Sequence, residues 1–183
     1  QHQSGGIVER RCRLQARSAP AEWALGSPEG QVLYWRDQRR QEIHRFDPAT
    51  GKDGRFDLEL PVQRGGLVRL ADGGMALAAS DGITLLSPNM KMRTPFVNPI
   101  AGKPTISFND AKCDRHGRLW AGTTDRLEAE PIGQLYRIAT NGRATCVADN
   151  FICSNGPSFS PDGRRKYHSR SHERVLDSDD IRV

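Results

Sequence analysis

The chain has 183 residues, an ordinary size for one domain, and its 27 Lys and Arg against 22 Asp and Glu leave a net charge of +5. No run is long and apolar enough to span a bilayer and no apolar signal core opens the chain, so no membrane partner is expected and a reducing cytoplasm is the expected setting. The basic excess sits at the two ends without interleaved aromatics, which argues against a nucleic-acid platform.

Residues 1–18 read as a polar arm containing Arg10, Arg11, Arg13 and Arg17. Strand signals then begin near Ala21 and continue to about Asn150 with no amphipathic helical period. Residues 32–35 and 42–46, followed by Asp47-Pro48-Ala49-Thr50-Gly51, predict a strand, a loop, a second strand and a tight turn. Gly65-Gly66 predicts either a bulge or a space left for a ligand. Related outer-strand patterns return at 83–88 and 135–142. Between them, 124–133 interrupts the pattern with Glu128, Glu130 and Pro131, as either an entrance loop or a tolerated insertion. Cys12, Cys113, Cys146 and Cys153 form no CxxC pair, and Cys146 and Cys153 are expected to be buried thiols. His2, His44, His116, His168 and His172 have no metal-ligand spacing. Beyond Gly163 the basic run 164–174 and the acidic cluster Asp177-Ser178-Asp179-Asp180 lack apolar alternation, so 168–183 is expected to be an irregular, divergent tail.

Within this pattern one unit repeats. Ser27-Pro28-Glu29-Gly30, Ala71-Asp72-Gly73-Gly74, Asp114-Arg115-His116-Gly117 and Ser160-Pro161-Asp162-Gly163 are turns of one type, with Gly30, Gly73, Gly117 and Gly163 spaced by 43, 44 and 46 residues. A period near forty-five with several strands per unit predicts an all-β fold of β-propeller blades, about three and a half to four of them, over residues 19–167. Eight positions before each turn glycine stand Glu22, Gly65, Asn109 and Asn155. Innermost strands of successive blades converge, so Glu22, Asn109 and Asn155 are expected near one axis, where a carboxylate and two amide carbonyls suit a hard divalent cation. The alternative is that each asparagine caps a local turn.

The motifs at 21–35 (AEWALGSPEGQVLYW), 43–51 (IHRFDPATG), 107–124 (SFNDAKCDRHGRLWAGTT) and 154–163 (SNGPSFSPDG) resemble those of the senescence marker protein-30, gluconolactonase and regucalcin-like family of sugar lactonases, in the same order and spacing. That resemblance implies a six-bladed propeller with a divalent metal in its channel, usually calcium and in some members zinc or manganese. It implies Glu22 and Asn155 as metal ligands and Asn109 as the residue contacting substrate oxygens beside the metal. Three departures accompany it. Ser107 stands where the family commonly has an arginine gripping sugar hydroxyls. The family's aspartate ligand and general base belongs to a downstream motif beyond residue 183, and Tyr167-His168-Ser169-Arg170-Ser171 replaces a usual Tyr-Phe-Ala-Asp-Ser.

The resulting expectation is hydrolysis of a small-molecule sugar lactone, such as an aldonolactone, with a cation polarising the carbonyl and activating water. Strand alternation places the Asp110 side chain on the face opposite Asn109. No Gly-x-Ser-x-Gly elbow points to a serine hydrolase. Two other expectations stand beside this one: a noncatalytic calcium-binding or interaction propeller, and an inactive truncated product whose open edge promotes aggregation.

Overall fold

The computed structural model describes residues 25–27, 31–37, 42–57 and 65–181. Fifteen strands, and no helix, occur among them. β1 (Leu25–Ser27), β2 (Val32–Asp37), β3 (Glu42–Asp47) and β4 (Lys52–Asp57) form a first antiparallel sheet in simple sequential order. β5 (Leu67–Arg69), β6 (Met75–Ala79), β7 (Gly82–Leu86) and β8 (Arg93–Val97) form a second. β9 (Ile106–Cys113), β10 (Leu119–Asp125), β11 (Gly133–Ile138) and β12 (Ala144–Phe151) form a third. β13 (Ser154–Phe159), β14 (Arg165–Arg170) and β15 (Val175–Asp180) form a fourth, three-stranded among the described residues. These are successive β-propeller blades, as the repeat predicts.

The repeated turn closes on the same backbone bond each time, with the amides of Gly73, Gly117 and Gly163 donating to the carbonyls of Leu70, Asp114 and Ser160 at 3.1, 3.1 and 2.8 Å. Asp72, Asp114 and Asp162 each accept, through Oδ1, the amide two residues on: Gly74 at 2.9 Å, His116 at 2.9 Å and Arg164 at 3.0 Å. The glycines that follow adopt left-handed φ of 85°, 79° and 72° at Gly73, Gly117 and Gly163, a conformation glycine takes without steric cost. The first turn, with Gly30, lies outside the described residues.

The core lies between sheets. β6 is buried on both faces and alternates accordingly. Met75, Leu77 and Ala79 pack with Val32, Tyr34 and Ile43 of the first sheet, whereas Ala76 and Ala78 pack with Phe108 and Ala121 of the third. β10 does the same, sending Leu119 and Ala121 back toward the second sheet and Trp120 forward to Phe151 and Ile181. A blade therefore buries its faces only against neighbours, which is why period-two alternation of large and small residues recurs along the chain.

β5, β9 and β13, the first strands of their sheets, lie side by side. Small residues allow this. A Cβ on Gly66 would stand 2.5 Å from the Ala111 amide nitrogen, and one on Gly122 would stand 2.4 Å from Ser154 Oγ. The Gly65-Gly66 pair is thus filled by neighbouring backbone, and the ligand space considered for it from sequence is absent.

Two expectations are corrected. Residues 165–170 and 175–180 form the regular hairpin β14–β15 instead of an irregular tail. Its alternation is present but written in charge. Lys166 and His168 are the inward residues, 4% and 2% exposed, and face Asp179 and Asp177 across the pair. Lys166 Nζ donates to Asp179 Oδ2 at 2.7 Å and to His168 Nδ1 at 3.2 Å, while Arg170 Nε donates to Asp177 at 2.7 Å. The acidic cluster is the complement of the basic strand, and Phe151 receives the His168 ring edge-on at 4.9 Å and the Arg170 guanidinium 5.0 Å from its ring centre. The second correction concerns thiols: Cys153 is buried, but Cys146 is exposed on β12.

Candidate active site at the first strands of two blades

Asn109 lies on β9 where the ladder to β10 slips: Asp110 pairs with Gly122, Phe108 pairs with Thr123, and Asn109 is the extra residue. This is a β-bulge, which re-aims side chains that strict alternation would separate. Asn109 is buried, and its Nδ2 donates to Asn155 Oδ1 at 2.6 Å, Ser154 O at 3.1 Å and Cys153 Sγ at 3.3 Å. Asn155 lies beside a second slip, since β13 pairs Asn155 with Ser169 but Ser158 with Tyr167. Its own Nδ2 donates to Ser171 Oγ at 2.5 Å and to Cys153 Sγ at 3.6 Å.

The first bulge also overturns the expected placement of Asp110. Its side chain reaches β13 as well, with Oδ2 accepting the Gly156 amide at 2.7 Å and Oδ1 accepting the Ala111 amide at 2.7 Å. Two bulged segments, one on each blade, thus dock through side chains. Sequence reasoning missed Asp110, Cys153 and Ser171 here because register slips carry no residue-type signature beyond the nearby glycines.

The electrostatic character follows from which atoms are used. Both amide nitrogens are committed to protein acceptors, so carbonyl oxygens are what Asn109 and Asn155 can offer a ligand. Neutral oxygen donors suit a hard cation or substrate hydroxyls and do not suit an anion. Ser107, two residues before Asn109, is buried at 3% exposure with its Oγ unpartnered, and Ser154 Oγ is likewise buried without a partner. Glu22, the expected carboxylate ligand, lies outside the described residues. Among the described residues no group of three or more His, Cys, Asp and Glu is arranged to hold a metal.

Two connections meet through side chains near Asn155. The Asp125 carboxylate accepts the amides of Ala129 at 2.9 Å, Glu130 at 3.0 Å and Leu127 at 3.4 Å, organising the loop after β10. The Glu130 amide and then the Ala129 amide hold its pKa below the ordinary aspartate value. From that loop Glu128 meets His172, in the β14–β15 turn, at 2.9 Å. The same turn carries Ser171, so the long loop read from sequence braces the turn that holds Asn155.

A family model described as "SMP-30/Gluconolactonase/LRE-like region" matches residues 21–182. The chain is 34% identical over 166 residues to a 6-deoxy-6-sulfogluconolactonase of Pseudomonas putida, covering 91% of this chain and 56% of that protein. It is 29% identical to a pentonolactonase of Haloferax volcanii, covering 93% of this chain and 54% of that one. Among solved structures, the calcium-binding protein regucalcin from Agrobacterium tumefaciens superposes with a TM-score of 0.78 at 23% identity, over 96% of this chain and 58% of that chain. The chain spans a little over half the length of these relatives. Four blades in sequence order, the docked Asn109 and Asn155 motifs and a match across nearly the whole chain lead to one conclusion: it belongs to the SMP-30/gluconolactonase/LRE-like family and forms part of its β-propeller.

Proposed function

We propose that this chain is the portion of a sugar-lactone hydrolase that carries two of its site asparagines, with Asn155 and Glu22 as ligands of a divalent cation and Asn109 as the substrate-orienting residue. The observation that carries the reading is the 2.6 Å contact between Asn109 and Asn155, residues on different blades. Calcium is the first choice of cation because carbonyl and carboxylate oxygens are its preferred donors, with zinc and manganese as alternatives. When bound, such a cation supplies Lewis acidity toward a lactone carbonyl and lowers the pKa of water.

The chain's own residues do the positioning. The Asn155 amide, clamped by Asn109 on one side and Ser171 on the other, keeps its carbonyl in one rotamer. As a neutral ligand it leaves the cation's charge uncompensated. Asn109, fixed by Ser154 and Asn155 on β13 and by the Cys153 thiol just before it, presents its carbonyl to a sugar hydroxyl without needing to reorder. Ser107 cannot fork two hydrogen bonds to sugar oxygens as an arginine would, so recognition at that position is looser. The relatives' printed activities support testing aldonolactones first.

Acid release from gluconolactone, pentonolactones and a 6-sulfonated gluconolactone, followed with and without chelator, tests the reading. Turnover that requires an added divalent cation supports it; chelator-insensitive turnover refutes it. A noncatalytic calcium-binding role is a second reading, favoured by Ser107 and by the engagement of both Asp110 oxygens with backbone amides. Cation binding without turnover of any lactone distinguishes it.

A further inference from the structure

We propose that Asp110 is a positioning residue that holds the Asn155-Gly156 bulge in the conformation the site requires. This rests on the reading of Asn155 as a cation ligand. Gly156 has a left-handed φ of 52° and follows Asn155 where pairing between β13 and β14 slips, between Asn155 and Ser158. A bulged amide of this kind loses its regular ladder partner and is left to water or to another protein acceptor. Asp110 Oδ2 supplies it at 2.7 Å from the neighbouring blade. The other carboxylate oxygen accepts the Ala111 amide at 2.7 Å, which ties the side chain to its own backbone and fixes its direction.

The result is a two-point clamp. Asn109 holds the Asn155 side chain and the Ser154 carbonyl, and the adjacent Asp110 holds the next backbone amide. Both grips come from one bulge on β9, so the direction of the Asn155 carbonyl is set by β9 rather than by β13 alone. The hydrogen bonds from Gly156 and Ala111 both come from N–H donors, so Asp110 serves as an acceptor at both oxygens. An asparagine there has one acceptor and one donor end, and one of the two amides must lose its bond. Partners that orient metal ligands are worth about 10–100-fold in metal affinity when mutated.

The test compares the wild-type chain with Asp110→Asn and Asp110→Ala by amide hydrogen exchange and by calcium titration calorimetry. In Asp110→Ala the Gly156 amide is expected to lose protection, and in Asp110→Asn at least one of the Gly156 and Ala111 amides, while amides in β6 and β11 keep theirs and calcium affinity falls about 10–100-fold. Unchanged protection at Gly156 in Asp110→Ala, or at both Gly156 and Ala111 in Asp110→Asn, overturns the proposal. Loss of that protection with calcium affinity unchanged also overturns it. If Asp110→Ala unfolds globally, loss of protection spreads to β6 and β11, and the near-isosteric Asp110→Asn decides. If a wild-type chain extended to include the downstream aspartate binds no calcium, the cation reading is refuted, and the exchange comparison still decides whether Asp110 holds Gly156.

Discussion

The side-chain amide of Asn109 donates to the side-chain carbonyl of Asn155 over 2.6 Å, joining residues that are 46 apart in the chain and belong to different blades. Because the nitrogen of each amide is committed to protein, the pair presents oxygen, and the two positions respond differently to substitution. Asn109→Ala is expected to lower kcat/KM for an aldonolactone by about 10–100-fold with a smaller effect on cation affinity. Asn155→Ala is expected to abolish high-affinity cation binding first. Steady-state lactone assays beside calcium calorimetry separate the two, and equal losses of both quantities in both variants refute the division of roles.

Asn155→Asp adds a charge while still accepting from Asn109. It is expected to tighten calcium binding and slow turnover, since a carboxylate ligand offsets the cation's Lewis acidity. Faster turnover at saturating calcium counts against the mechanism. Removing the carboxylate in Glu22→Gln is expected to weaken calcium binding in the same titration.

Asp114 stabilises the turn between β9 and β10 from inside. At 2% exposure it accepts the amides of His116 and Arg118, Arg118 Nε at 2.6 Å and Trp120 Nε1 at 2.8 Å. Asp114→Ala leaves these donors without their acceptor and is expected to destabilise the fold by about 3–5 kcal/mol. Urea denaturation of variant and wild type measures it. A loss below about 1 kcal/mol would show that water replaces the carboxylate.

His168 makes stability depend on pH. Burial, and then the neighbouring Lys166 charge, depress its pKa below the ordinary histidine value. The fold therefore holds it neutral, and the unfolded chain binds the proton more readily. Stability is expected to be full above about pH 6.5 and to fall as the pH drops below that value, levelling off once the folded form also protonates. His168→Gln is expected to flatten this part of the profile of melting temperature against pH between 7 and 5. An unchanged slope assigns the acid sensitivity to carboxylates such as Asp179, whose pKa is lowered by its hydrogen bond from Lys166.

Close approach of β10 to β13 predicts a steric effect at one glycine. In Gly122→Ala the new methyl carbon would stand 2.4 Å from Ser154 Oγ and 2.9 Å from its Cβ, both next to Asn155. A destabilisation of about 1–3 kcal/mol is expected, with weakened calcium binding. Thermal melting and calorimetry check both, and a stable variant with normal affinity would show that the blades can separate without moving the site.

Sequence by itself determined the blade. Turns of one composition recur at 43 to 46 residues, aspartate and glycine dictate their conformation locally, and alternation of large and small residues declares strands buried on both faces. It also selected Asn109 and Asn155, because equivalent positions in equivalent units must meet. Tertiary structure decided the rest, for reasons no local pattern carries. Whether Asp110 points with or against Asn109 depends on a register slip opposite Gly122, a property of two paired strands. Whether Lys166 and His168 end a fold or continue it depends on Asp177 and Asp179 lying opposite them, since a buried charge is tolerated only when its partner is in place.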